Sequence, residues 1–278
     1  MSYSCFSCEL NDHIAHIRFN RPDHFNSFTP AFWEELPRAI NTLSDEGEAR
    51  VIVLSAEGKH FTAGMDIAVF MGSSFDSDDE NPQISAEAFR HHVRGLQESF
   101  SAIEKARMPV LAAIQGGAVG AGVDLATACD CRYASKEAFL CVQETAIGMT
   151  ADVGTFPRLA KLIPEGWARQ MSYTAERLPA QKAKEIGLVN EVYDSPETML
   201  TEVMKVAATI AGHSPLAVTG CKQMITYSRD HTTADSLDYI GVWNAAMLRP
   251  DDIRESYIAK KEKRMANYAP LKPISKFV

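Results

Sequence analysis

Apolar positions along this chain follow two rhythms, one of period two and one of about 3.6, and the two alternate. Ile14 to Phe19 alternates in part and is closed by Asn20-Arg21-Pro22-Asp23, which predicts a strand and then a loop. Thr29-Pro30 reads as a helix start, with Thr as N-cap and Pro in the first turn. Phe32, Trp33, Leu36, Ile40 and Leu43 then recur at helical spacing, and Pro37 inside that run is expected to kink or shorten the helix. Val51-Ile52-Val53-Leu54 predicts a strand buried on both faces. Residues 72–85 read as an acidic, Ser-rich loop, followed by a helix from about Ala86 to Lys105. Pro109–Ile114, Asp130–Ala134 and Ala138–Val142 are further predicted strands.

Strand and helix signals alternate to about residue 195, which predicts an α/β core with parallel strands. From there the pattern is helical, over Pro196–Gly212, Pro215–Tyr227, Thr233–Met247 and Pro250–Met265. The expected division is a core over residues 1–200 and a helical C-terminal region over 201–278.

Composition narrows the function classes. The chain has 278 residues, 46% hydrophobic and 23% charged, with a formal charge of −8. That length can form a large core, and a net negative chain is a poor candidate for nucleic acid or anionic membrane surfaces. No apolar run is long enough to span a bilayer. Cys5-Phe6-Ser7-Cys8 has the spacing of half a metal motif, but no second pair completes it, so no metal is expected and reduced thiols are. No secretory leader is legible, and Ser275-Lys276-Phe277 is not terminal as a peroxisomal address would be, so the cytoplasm is the default expectation.

The chemistry concentrates in three acids, Asp124, Glu144 and Asp152, beside the small-residue run Gly116-Gly117-Ala118-Val119-Gly120-Ala121-Gly122. Buried carboxylates need a reason, and near an activated carbonyl they can move protons on and off carbon. A helix opening in this run points free N–H groups at a ligand. Phe61-Thr62-Ala63-Gly64-Met65-Asp66 is a second such turn, and one amide from each turn would make an oxyanion hole. Taken alone, both turns read better as tight turns needed only for packing. Asp124 could serve the first turn of a helix, and Asp152 could cap a helix starting at Val153.

The words His60-Phe61-Thr62-Ala63-Gly64-Met65-Asp66-Ile67, Gly117–Asp124 and Glu144–Asp152, with Asn20-Arg21-Pro22 and Asn26, resemble the enoyl-CoA hydratase/isomerase (crotonase) superfamily over nearly the whole chain. In detail they look most like Δ3,5-Δ2,4-dienoyl-CoA isomerases, whose Asp, Glu and Asp are spaced by twenty and eight residues, as are Asp124, Glu144 and Asp152. Hydratases of the family typically carry Glu and Gly where this chain has Asp124 and Asp152.

The resemblance implies a crotonase-like spiral of ββα units, acyl-CoA thioester substrates, a homotrimer or hexamer, and a place in fatty-acid β-oxidation. It implies no cofactor beyond the CoA carried by the substrate. It matches the amides of Met65 and Ala121 to the oxyanion hole, and an Ala still serves there if its φ is negative. It puts Ala63, Gly64, Asp66, Ile67 and Gly120 on the thioester and CoA side, with Phe25 and Asn26 near the nucleotide.

Asp124, Glu144 and Asp152 would be the catalytic acids. Shifting two double bonds removes a proton at C2 and returns one at C6, atoms several bonds apart, so two separated carboxyl groups suit the task. Glu144 and Asp152 are expected to share the transfers, with Asp124 tuning them and the base left open. An enoyl-CoA hydratase is the alternative within the family. A non-catalytic or RNA-associating family member is the alternative from a different function class, and the three acids and the net charge weigh against it. His60, His91-His92 and His213 have no ligand-like spacing. The basic stretch Lys260, Lys261, Lys263 and Arg264 reads as a solvated helix face.

Overall fold

The apolar run Val51–Ala56 is wholly buried because it lies in the middle of a six-stranded sheet. A computed structural model describes residues 3–66, 68–69 and 81–275 of the chain. The sheet contains β1 (Phe6–Asn11), β2 (Ile14–Phe19), β3 (Val51–Ala56), β4 (Val110–Ile114), β6 (Cys131–Ser135) and β9 (Glu191–Tyr193), in the order β1-β2-β3-β4-β6-β9. Only β1 pairs antiparallel, through a tight hairpin whose Asp12 and His13 both have positive φ. The later pairs are parallel. A second, three-stranded sheet joins β5 (Gly117–Val119), β7 (Phe139–Cys141) and β8 (Leu178–Pro179).

Alternation along the strands divides the interior in two. Ile52, Leu54, Val110, Ala112 and Ile114 face the main core, which holds Phe19, Phe28, Phe32, Phe61 and Phe100. Val51, Val53, Leu111 and Ala113 face the other way, onto Met199, Val203, Ala207 and Ala211 of α7 (Pro196–Ala211). Strands covered on both faces read as continuous apolar runs for this reason.

Three sequence expectations need adjustment. The division at residue 200 falls inside α7, which is a layer of the core, so the helical appendage begins after Gly212. Helix α1 (Pro30–Glu46) is not interrupted at Pro37. Proline cannot donate to the carbonyl four residues back, and the Ser99 hydroxyl donates to Trp33 O at 2.9 Å in its place. Helix α2 (Pro82–Lys105) starts four residues before the expected Ala86, so 82–85 are helical, while 72–80 of the expected acidic loop lie outside the described residues.

Helices α3 (Ala121–Ala128), α4 (Thr155–Leu162), α5 (Glu165–Thr174) and α6 (Ala180–Glu185) complete the core. The appendage is α8 (Pro215–Ser228), α9 (Thr233–Met247) and α10 (Pro250–Glu262). It is tied to the core by Lys222, which is buried and donates to Ile103 O at 2.7 Å and Met108 O at 2.9 Å beside Asp130. Only Ser236 of α9 and Ala259 of α10 are buried.

Candidate active site

Two loops leave the C-terminal ends of the adjacent strands β3 and β4, the place where parallel sheets carry their ligand crevices. The loops are stitched together. Thr62 N donates to Gly117 O at 3.0 Å, and Val119 N donates to Thr62 O at 3.1 Å. The Thr62 hydroxyl, fully buried, donates to Asn26 O and accepts from Gly64 N.

On the other side, Phe28 N donates to Gly64 O at 2.8 Å and Asp66 N donates to Phe28 O at 3.1 Å. This bridge uses the groups of residues 64 and 66, so the N–H of Met65 between them points the opposite way. Gly64 has φ +83°, and a Cβ there would come within 2.5 Å of Val119 O and 3.1 Å of Ala121 N. Only glycine lets the two turns touch so closely.

Gly120 is the N-cap of α3 and Ala121 its first residue, so the Ala121 amide has no partner within the helix. Ala121 is absent from the residues with positive φ, which meets the condition for an alanine at this position.

Asp124, Glu144 and Asp152 come together on one cavity of about 350 Å³, walled by Ala63, Met65, Val119, Gly120, Ala121, Gln143, Ile147, Met149 and Val153. Asp124, in α3, is 1% exposed and accepts the Thr155 amide at 2.5 Å. Burial pushes its pKa up to about 6, against the opposing pull of the Thr155 amide and of Arg158.

Glu144 opens a 3₁₀ turn, Glu144–Ile147, after β7. Its Oε1 lies 3.2 Å from where a Cβ of residue 120 would stand, and its Oε2 is buried without a protein hydrogen bond. Burial, then the Asp124 charge, raise its pKa to about 7. Asp152 sits in the turn before α4, half-buried, and burial raises its pKa too. A carboxyl group with a pKa near 7, as at Glu144, can both give and take a proton.

The simple capping reading of Asp152 does not describe this turn. Helix α4 starts at Thr155, not Val153, with Gly154 as N-cap, and the free Thr155 amide goes to Asp124. Asp124 therefore does serve a helix start, but that of α4 rather than its own.

The CoA-side residues divide. Ala63 is exposed at the cavity mouth, and Phe25 is 55% exposed, its ring near His60. Asn26, in contrast, is buried. Its Oδ1 accepts from Arg21 N at 2.9 Å, and its Nδ2 donates to Glu57 O and His60 O, both at 2.9 Å. With those groups taken, its side chain pins the loop.

Asp66 accepts from the Ser27 hydroxyl and the Ala68 amide, which hold its pKa low. Ile67 lies outside the described residues. His60 Nδ1 accepts the Gly117 amide at 2.9 Å, a loop-fixing role. Arg264 is paired with Glu255 and Glu262. No metal-holding group of three His, Cys, Asp or Glu, and no helix long and apolar enough to cross a membrane, occurs among the described residues.

Residues that the sequence reading passed over also contribute. Thr155, Gln143, Ile147 and Met149 shape or line the cavity, and no spacing rule marks them, because they arrive on turns distant in sequence from the glycine-rich run.

The family description enoyl-CoA hydratase/isomerase matches residues 9–270. The peroxisomal Δ(3,5)-Δ(2,4)-dienoyl-CoA isomerase of Arabidopsis thaliana is 39% identical over 259 residues, covering 93% of this chain and 93% of the relative. The mitochondrial Δ(3,5)-Δ(2,4)-dienoyl-CoA isomerase of Mus musculus is 38% identical over 91% of this chain and 77% of its own length. A crystal structure of enoyl-CoA hydratase from Bacillus anthracis superposes with a TM-score of 0.86 at 31% identity, covering 95% of this chain and 99% of that one.

The names of the relatives overturn the cytoplasmic expectation, since those proteins are peroxisomal and mitochondrial. A default drawn from unrecognised address signals was weak ground, because an address is a short receptor-read segment independent of the fold. With the crotonase fold, the matched motifs and this extent of identity, the chain belongs to the enoyl-CoA hydratase/isomerase family.

Proposed function

We propose that this chain is a Δ3,5-Δ2,4-dienoyl-CoA isomerase. The observation that carries the reading is the convergence of three carboxyl groups on one largely apolar cavity that also contains the Met65 and Ala121 turns. The thioester oxygen lies between the amides of Met65 and Ala121. They stabilise the dienolate that forms when a carboxylate takes the C2 proton. A second carboxyl returns a proton to C6, and two double bonds move. Glu144 and Asp152 share these transfers. Asp124, tied to the Thr155 amide, holds the Asp152 turn and keeps Glu144 partly protonated by like charge. The isomerisation is redox-neutral and takes up as many protons as it releases, so it calls for no cofactor besides the CoA of the substrate.

Ala63, Gly64 and Gly120 border the thioester, and Phe25 flanks the way out toward the nucleotide. The exposed Leu237, Val242, Leu248 and Tyr257 of the helical end suit burial in a homotrimer or hexamer.

The test is a spectrophotometric assay with a 3,5-dienoyl-CoA and, in parallel, a 2-enoyl-CoA. Conjugation of the new diene with the thioester raises the absorbance. A fast rise with little hydration of the enoyl substrate supports the isomerase. Strong hydration without a diene signal refutes it in favour of a hydratase.

A further inference from the structure

The turn that carries Asp152 has no regular hydrogen-bonded structure of its own, yet it is fixed from outside at three points. Asp124 takes the Thr155 amide. Gln97 Nε2, from α2, donates to the Asp152 backbone carbonyl at 2.7 Å. The Arg158 guanidinium presses its Nη1 against Gly154: a Cβ at 154, where φ is +133°, would stand 1.8 Å from that atom. Arg158 is in turn held by Glu104 Oε2, at 2.9 Å from Nε and 2.7 Å from Nη2, and Glu104 Oε1 accepts from Arg229, the C-cap of α8, at 2.8 Å.

Gln97, Ser101 and Glu104 follow one another at i, i+4 and i+7, so they form one polar stripe along α2 that faces this turn. All three line a cleft of about 420 Å³ that shares Asp152 and Val153 with the reaction cavity. Asp152 belongs to the walls of both spaces, so the setting of its backbone bears on which of them its carboxyl meets.

We propose that Gln97, acting beside the Arg158–Glu104 pair that packs on Gly154 of the same turn, is a positioning residue that keeps the Asp152 carboxyl turned into the reaction cavity rather than into the outer cleft. Gln97 touches neither substrate nor reacting atoms and acts only through the Asp152 carbonyl. The inference rests on Asp152 taking part in isomerisation.

The experiment is a double-mutant cycle of Gln97→Met and Asp152→Asn, read as kcat and KM for a 3,5-dienoyl-CoA, with Tm recorded for every protein. Gln97→Met keeps the length and removes the donor. The expected result is a fall in kcat of roughly tenfold to a hundredfold, the scale of a small misplacement of a catalytic group. KM should stay within about twofold. In the Asp152→Asn background the same substitution should change kcat by less than about twofold, since coupled residues are not additive.

An unchanged kcat, or an equal loss in both backgrounds, overturns the proposal. If Asp152→Asn itself keeps the full rate, the isomerase role of Asp152 fails, and the inference fails with it. Should Gln97→Met not fold, Gln97→Glu carries the same cycle, because it places an acceptor against the carbonyl at the same length.

Discussion

Glu144→Gln should separate activity from stability, and the pH dependence of the second can be worked out in advance. Burial and the neighbouring Asp124 raise the Glu144 pKa from its ordinary 4.5 to about 7. Below about pH 4.5 the carboxyl is protonated in the folded and unfolded chain alike. Between there and about pH 7 the folded chain retains a proton that the unfolded chain has lost, so stability falls as pH rises, and the loss is complete above about 7. At about 1.36 kcal/mol per pKa unit the ceiling is about 3 kcal/mol. Part of it is coupling to Asp124 and remains shared with that group.

Gln is neutral at every pH and nearly the same shape. Glu144→Gln should therefore match the wild type near pH 4.5 and exceed it near pH 8 by about 1–3 kcal/mol, a Tm gain of roughly 2–6 °C for a chain of this size. The assay is thermal unfolding across that pH range at one fixed protein concentration, since subunit association would also shift Tm. Turnover of a 3,5-dienoyl-CoA by the same variant should fall by roughly two to four orders of magnitude. A Tm difference that does not depend on pH, or a variant less stable at pH 8, would refute the burial argument whatever the kinetics show.

Other variants test individual contacts. Asp152→Asn should reduce isomerase turnover by roughly 10²–10⁴ with the melting curve intact, and near-normal rates would remove Asp152 from the mechanism. Asp124→Ala leaves the buried Thr155 amide without its acceptor and should destabilise by about 1–3 kcal/mol, more than Asp124→Asn, which retains an oxygen; equal denaturation midpoints would argue against that contact. Gly64→Ala forces a Cβ toward Val119 O at a positive φ, so both soluble yield and activity should fall steeply, and a wild-type melting curve would contradict the close approach of the two turns. Asn26→Ala should cost about 2–4 kcal/mol of stability while KM for the folded fraction changes little, whereas a large KM increase at unchanged stability would restore a direct nucleotide contact.

The residue pattern by itself determined the buried strands Val51–Ala56 and Val110–Ile114, the amphipathic helix from Pro30, the change to helices after about residue 195 and the grouping of small residues with acids. Each is a local matter: burial on both faces gives an apolar run, an amphipathic helix gives a stripe, and a tight turn needs glycine. The motif words then pointed to Asp124, Glu144 and Asp152, which the fold does bring to one cavity.

Other features depended on groups far apart in sequence. Pro37 is tolerated because Ser99 replaces the missing donor. Residue 200 is no boundary because α7 meets the sheet face of Val51 and Val53. Strand β1, mostly exposed and bounded only by a two-residue turn, had no pattern strong enough to read. Asn26 clamps its loop because its three partners, on Arg21, Glu57 and His60, converge only in the folded chain. Asp124 has its partner at Thr155, thirty-one residues away, and Asp152 is held by Gln97, fifty-five residues away. Sequence periodicity reports which face of an element is dry. Which charged or polar group meets which carboxylate, and so which proton is held and which is free to move, is decided by distances of a few ångströms that only the tertiary fold sets.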